Sequence, residues 1–126
     1  MLSFLRRKGR LLLLDDDPSM QRLIATLLTR EGYRVDVVSE AAQATAQIAR
    51  RKYAALLLDV MTPTEGGLTV IRHLRESQPE LLRRVMLVTA SPDSLLRSVA
   101  SDVATVIRKP FQPAELIATV ARVVKS

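Results

Sequence analysis

The stretch Leu11-Leu12-Leu13-Leu14-Asp15-Asp16-Asp17-Pro18 decides the fold. Four consecutive apolar residues are too few for a helix and carry no polar alternation, so they read as a strand buried on both faces, as in a parallel sheet. Three acids follow at once. Pro18 then suits the first turn of a helix, where its missing N–H costs nothing, with Asp17 as the N-cap. Working outward, residues 54–58 run into Asp59, residues 85–88 into Thr89, and residues 104–107 through Arg108 into Lys109 and Pro110. Residues 33–38 alternate apolar and polar side chains and give one more strand.

Helical patterns fill the gaps. Met20, Leu23, Ile24, Leu27 and Leu28 form an i, i+3, i+4 stripe that stops near Gly32. Ser39 is placed to cap an alanine-rich helix over 40–51. Pro63, Gly66 and Gly67 mark a loop over 61–67, before a helix through Leu68, Ile71 and Leu74 that Pro79 breaks. A weak helix is expected over 92–100 and a final one over 113–124, where Leu116, Ile117, Val120, Val123 and Val124 share a face. This alternation predicts a basic lead-in over 1–9 and one α/β domain over 10–126. The domain is a doubly wound five-stranded parallel sheet, order 2-1-3-4-5, with helices on both faces.

Composition narrows the function. The 126 residues suffice for one domain with its own core. The absence of cysteine excludes disulfides, thiol catalysis and cysteine-ligated metal. No apolar stretch approaches the roughly 20 residues of a membrane helix, and the expected location is cytoplasmic. A formal charge of +6 invites an anionic partner, but aromatics are 3% with no Trp, which argues against a stacking surface for nucleic acid. His73 has no metal-ligating companions and reads as a surface residue.

In this topology the first and third strands are neighbours, so Asp15, Asp16 and Asp59 meet in the crevice at the carboxyl ends of the strands. Three carboxylates that close need compensating positive charge. Mg²⁺, with Mn²⁺ as a substitute, suits an all-oxygen donor set. Asp59 is a candidate nucleophile toward phosphorus, since a carboxylate needs no general base. Lys109 and the Thr89 hydroxyl, from neighbouring strand ends, suit the oxygens of a transferring phosphoryl group. The Lys109–Pro110 bond is a candidate cis peptide.

Residues 11–20 (Leu-Leu-Leu-Leu-Asp-Asp-Asp-Pro-Ser-Met), Leu-Leu-Leu-Asp-Val-Met-Thr-Pro ending at Pro63, Leu-Val-Thr-Ala ending at Ala90, and Lys109-Pro110-Phe111 together resemble the receiver domains of two-component response regulators. The resemblance runs from about residue 10 to 125 and implies a flavodoxin-like fold. By resemblance, Asp59 is the phosphoacceptor, and Asp15, Asp16 and the Met61 carbonyl help Asp59 hold Mg²⁺. Thr89 is then the switch hydroxyl, and Lys109 contacts the phosphoryl group. The implied donor is a sensor histidine kinase or a histidine phosphotransfer protein, docking near Met20, Leu23, Pro110 and Phe111. Output is expected through contacts with an unidentified downstream protein, from a stand-alone domain that is a monomer or weak dimer. It would catalyse only its own phosphorylation and dephosphorylation.

Two positions bear on how such a domain would switch and lose its phosphoryl group. Val106 stands where receivers usually carry an aromatic rotor, and Met61, two residues after Asp59, cannot orient an attacking water, so slow dephosphorylation is expected. The alternative reading is a pseudo-receiver that binds a partner without phosphorylation. An Asp-dependent phosphatase fits less well, because by resemblance those enzymes have an Asp-x-Asp loop on the first strand and a cap insertion.

Overall fold

The four leucines of the opening stretch form strand β1 (Arg10–Leu14) and divide between two layers. Leu12 and Leu14 face one core while Leu11 and Leu13 face the other, the alternation that a strand imposes on its side chains. The computed structural model describes residues 8–60, 66–90 and 93–126, with the side chains of 93–95 outside the description. Helix α1 (Pro18–Arg30) follows, then β2 (Arg34–Val38), α2 (Ala41–Arg50), β3 (Ala55–Leu58) and α3 (Gly66–Ser77). A 3₁₀ segment (Pro79–Arg84) leads into β4 (Val85–Thr89), α4 (Asp93–Ala100), β5 (Thr105–Arg108) and α5 (Pro113–Lys125).

All pairings are parallel and the sheet order is β2-β1-β3-β4-β5, as the sequence predicts. One core layer packs Leu56, Leu58, Val85 and Leu87 with Ile48, Ile71, Leu74 and Val99 from α2, α3 and α4. The other packs Leu57, Met86 and Val88 against Ile24 and Leu28 of α1 and Leu116 and Val120 of α5. Leu14 and Leu58 are 0% exposed, and each such side chain contributes roughly 1.5–3 kcal/mol over leaving it in water. The register fixes the site, because Leu14 pairs with Leu58 and so Asp15 and Asp59 emerge side by side.

Local chemistry explains the helix ends. Asp17 caps α1, its carboxylate accepting from the Ser19 N–H at 3.1 Å, with Pro18 in the first turn. For α2 the expected Ser39 cap gives way to Glu40: the Gln43 side chain accepts from the Glu40 N–H at 3.1 Å and completes a reciprocal capping box. Gly66 and Gly67, expected in the loop, open α3 instead. Pro79 breaks the helix as expected, and the chain turns into a 3₁₀ segment that runs up to Arg84, directly before β4. α4 is short at eight residues. No helix of the described residues is long and apolar enough to cross a membrane.

Candidate functional site

Each candidate side chain comes from the end of a strand or from the one or two residues after it. Asp15 follows β1, its N–H extending the ladder to the Val38 carbonyl at 3.2 Å. Asp59 follows β3, its N–H reaching the Leu14 carbonyl at 2.9 Å. Asp15, Asp16 and Asp59 each present a carboxylate oxygen within 4.8 Å of the others. Asp15 is 1% exposed and Asp59 5%, while Asp16 opens to solvent. Three negative charges thus crowd a site that is closed on its sheet side.

Lys109 enters from the end of β5. Its Nζ donates to Asp15 Oδ2 at 2.7 Å and to Asp59 Oδ2 at 3.1 Å. Burial of the ammonium works against its charge, but the hydrogen bond to Asp15 and the charges of Asp59 and Asp15 outweigh it, so the Lys109 pKa stands above the usual lysine value. The Lys109 N–H also donates to the Thr89 carbonyl at 3.0 Å, tying the lysine to the end of β4. Thr89 is fully buried there, and Thr89 and Arg108 are register partners. The Lys109–Pro110 peptide is cis, and Phe111 packs against the α1–α5 core layer.

The donors suit a hard divalent cation. Three carboxylate oxygens in an oxygen-only cluster match the preference of Mg²⁺ for one or two carboxylates plus water and phosphate oxygen. Asp17 is not among them; it caps α1, and its N–H donates to Asp15 Oδ1 at 2.9 Å, holding the neighbouring carboxylate in place. Met61, expected to offer its carbonyl, lies outside the described residues. His73 is exposed on α3, as expected of a lone surface histidine. Val106, the register partner of Leu87, is half-buried against the α2–α4 core layer.

Two supporting residues escaped the sequence reading. Gly67 donates its N–H to the Asp59 carbonyl at 2.9 Å, and a Cβ there would lie 2.8 Å from that oxygen. The glycine therefore permits close approach of α3 to the backbone of Asp59; no left-handed φ is involved. Gln21, one turn into α1, donates from Nε2 to the Asp15 carbonyl and, at 3.0 Å, to Ser39 Oγ. Its place after the Asp17 cap was the only available signal. Sequence periodicity says nothing of a side chain that reaches back over the helix start.

Comparison with known proteins places these features in context. A sequence model of the response regulator receiver domain matches residues 11–121. The transcriptional regulatory protein GltR of Pseudomonas aeruginosa is 32% identical over 112 residues, which cover 87% of this chain and 46% of GltR. The chain thus spans about half the length of that relative. The receiver domain of a sensor histidine kinase from Pseudomonas aeruginosa, solved with magnesium coordinated in its active site cleft, superposes with a TM-score of 0.82 at 29% identity, covering 94% of this chain and 98% of that one. The response regulator TrrA of Thermotoga maritima, solved with Mg²⁺ and BeF, gives 0.78 at 27% identity, with 90% and 97% covered.

Proposed function

The chain belongs to the response regulator receiver domain family of two-component systems, and from that premise we propose that Asp59 accepts a phosphoryl group in a Mg²⁺-dependent transfer. The observation that carries the reading is the convergence of Asp15, Asp16 and Asp59 within 4.8 Å, with Lys109 bonded to two of them. The donor is a phosphohistidine on a sensor kinase or phosphotransfer protein. An Asp59 carboxylate oxygen forms the new O–P bond as the P–N bond to the imidazole breaks, and the imidazole keeps the electron pair and takes a proton.

Asp15, Asp16 and Asp59, with the Met61 carbonyl, would hold Mg²⁺, which when bound neutralises charge on the phosphoryl oxygens. Lys109 releases its bond to Asp59 in favour of a phosphoryl oxygen, and Thr89 offers its hydroxyl to another. Gln21 and the Asp17 N–H hold Asp15 while Asp59 is modified. Signalling then proceeds through protein contacts, with Leu23, exposed on α1, part of the surface met by the donor. Burial of Asp59 and Thr89 leaves the acceptor reachable from the crevice alone, which limits competing chemistry.

Intact-mass spectrometry after incubation with acetyl phosphate and Mg²⁺ tests this. One phosphoryl adduct is expected, dependent on Mg²⁺ and absent from Asp59→Ala. No adduct under conditions that modify a known receiver would overturn the reading in favour of a phosphorylation-independent interaction module. Val106 is the observation that favours that second reading, since the side chain against the α2–α4 layer is too small for an aromatic rotor.

A further inference from the structure

Helix α4 is lightly anchored. Of its described side chains only Leu96 and Val99 enter the core, whereas α3 buries Leu68, Val70, Ile71 and Leu74. Eight residues are too few for a helix to hold itself in water, so α4 depends on what fastens it. Its carboxyl-terminal end needs positive charge. Ser98 lies in the last turn, where carbonyls have no partner within the helix, and Asp102 follows two residues after the end, adding a carboxylate to the negative pole of the helix dipole. Arg97 is the helix's own basic residue there.

Arg75, in the last turn of α3, meets both groups. Its Nη2 donates to the Ser98 carbonyl at 3.1 Å and to Asp102 Oδ2. One guanidinium thus caps α4, neutralises the carboxylate beside it and joins the helix to α3. The pair is partly exposed and modest in energy, so its effect is chiefly positional. The turn it grips is compact, with the Asp102 N–H on the Val99 carbonyl at 3.0 Å and the Ala104 N–H on the Val85 carbonyl at 2.9 Å. At its other end α3 reaches the crevice, where the Gly67 N–H bonds the Asp59 carbonyl at 2.9 Å with no room for a Cβ between them. Between these two fastenings α3 rests on close-packed side chains, and a segment packed in that way transmits a displacement along its length.

We propose that Arg75 is a latch through which α3 sets the position of α4, so that occupation of the crevice at Asp59 is read at the turn between α4 and β5. This route needs no aromatic side chain at Val106. Its coupling half rests on the reading of Asp59 as the phosphoacceptor, while the latch itself is measurable without it.

Amide hydrogen exchange and NMR on the full chain test the two halves. Without ligand, Arg75→Ala should raise exchange over 97–100 by about fivefold or more while α3 and the sheet keep their protection, and Arg75→Lys, which retains the charge, should restore part of it. With Mg²⁺ and beryllofluoride, the wild-type protein should show shifts around Asp59 and Gly67 and also over 97–104. In Arg75→Ala the first set should remain and the second should fall to about half or less. Exchange that Arg75→Ala leaves unchanged would overturn the latch. Shifts over 97–104 that survive in full would overturn the route through α3 and assign the coupling to the chain that follows Thr89. Absence of shifts around Asp59 in the wild-type protein would overturn the acceptor reading and the coupling with it, and the exchange result would still decide the latch.

Discussion

In the middle of the edge strand β2, Asp36 is satisfied on both oxygens by residues at or just before the amino-terminal ends of β1 and β3: Arg10 Nη1 lies 2.9 and 3.1 Å from them and the Tyr53 hydroxyl donates at 2.7 Å. At the carboxyl-terminal end of the sheet, Asp15, Asp16 and Asp59 crowd within 4.8 Å around Lys109, which bonds two of them. The first arrangement closes its own electrostatic account with one carboxylate, one guanidinium and one phenol. The second keeps an excess of negative charge in a largely buried place, which disfavours the folded chain and is useful only if something positive arrives. Asp36 therefore belongs to stability, and the crevice acids belong to chemistry. Substitutions in the two regions should separate along that line.

The largest effect is expected from Lys109→Ala. Removing one partner of a buried charge pair costs about 3 kcal/mol, the low end of the usual range, because the crevice is partly open through Asp16. Loss of a group that stabilises transferring charge should also slow adduct formation on Asp59 by about 10²-fold or more. Urea unfolding and a time course of adduct mass read the two separately. A variant that phosphorylates at the wild-type rate would break the comparison, since the lysine would then be as structural as Arg10.

Gly67→Ala comes next. Alanine gains up to about 1 kcal/mol in helix propensity over glycine, so an exposed glycine in a helix should tolerate the change with profit to stability. Here the new Cβ would meet the Asp59 carbonyl oxygen at 2.8 Å, and backbone must shift. Overpacking of this kind costs about 1–3 kcal/mol, so a net loss is expected, with slower adduct formation because the displaced backbone carries the acceptor. Equilibrium unfolding that shows stabilisation would mean that α3 moves away without disturbing Asp59.

Gly67 also shows where the sequence stops being readable. The order of the sheet was legible because apolar runs of four or five residues end in acids, a hydroxyl or a lysine, and the strand period then leaves few arrangements. The acids of the crevice were legible for the same reason, being the residues that directly follow β1 and β3. A glycine announces freedom of backbone, but it does not say whether that freedom serves a turn or a neighbour's carbonyl. Ser39 and Glu40 are both reasonable caps by type, and the choice fell to Gln43, three residues after Glu40, whose side chain completes the box. The 3₁₀ segment after Pro79 has a sequence, Pro-Glu-Leu-Leu-Arg-Arg, whose residue types suit an ordinary helix start, so residue type does not announce the tighter winding.

A cation that binds only the folded crevice at about ten times its dissociation constant stabilises by about 1.4 kcal/mol. Adding Mg²⁺ should therefore raise the thermal midpoint of the wild-type protein by a few degrees. The rise should disappear in Asp15→Asn, which removes a crevice carboxylate charge, and should persist in Asp36→Asn, which lowers stability with and without metal alike. An equal Mg²⁺ response in both variants would show that the ion acts through the general charge of the chain.

The smallest effect belongs to Tyr53→Phe, which removes the phenol from Asp36 and leaves Arg10 in place. Loss of this hydrogen bond should cost about 1 kcal/mol near neutral pH, with adduct formation on Asp59 unaffected. The pH dependence identifies the cause. Burial first, then the hydrogen bond and charge of Asp36, raise the Tyr53 pKa from 10.0, while Arg10 and Arg51 act in the opposite direction. The folded protein thus keeps a proton that the unfolded chain releases, so this contribution is whole below pH 10.0 and is lost as pH rises through the folded value. Unfolding measured across the alkaline range should show wild type and Tyr53→Phe separated by a constant gap up to about pH 10.0 and converging as pH rises above it. A gap that instead widens with pH would mean that the phenol does not hold its proton against Asp36, and that the guanidinium alone balances the carboxylate.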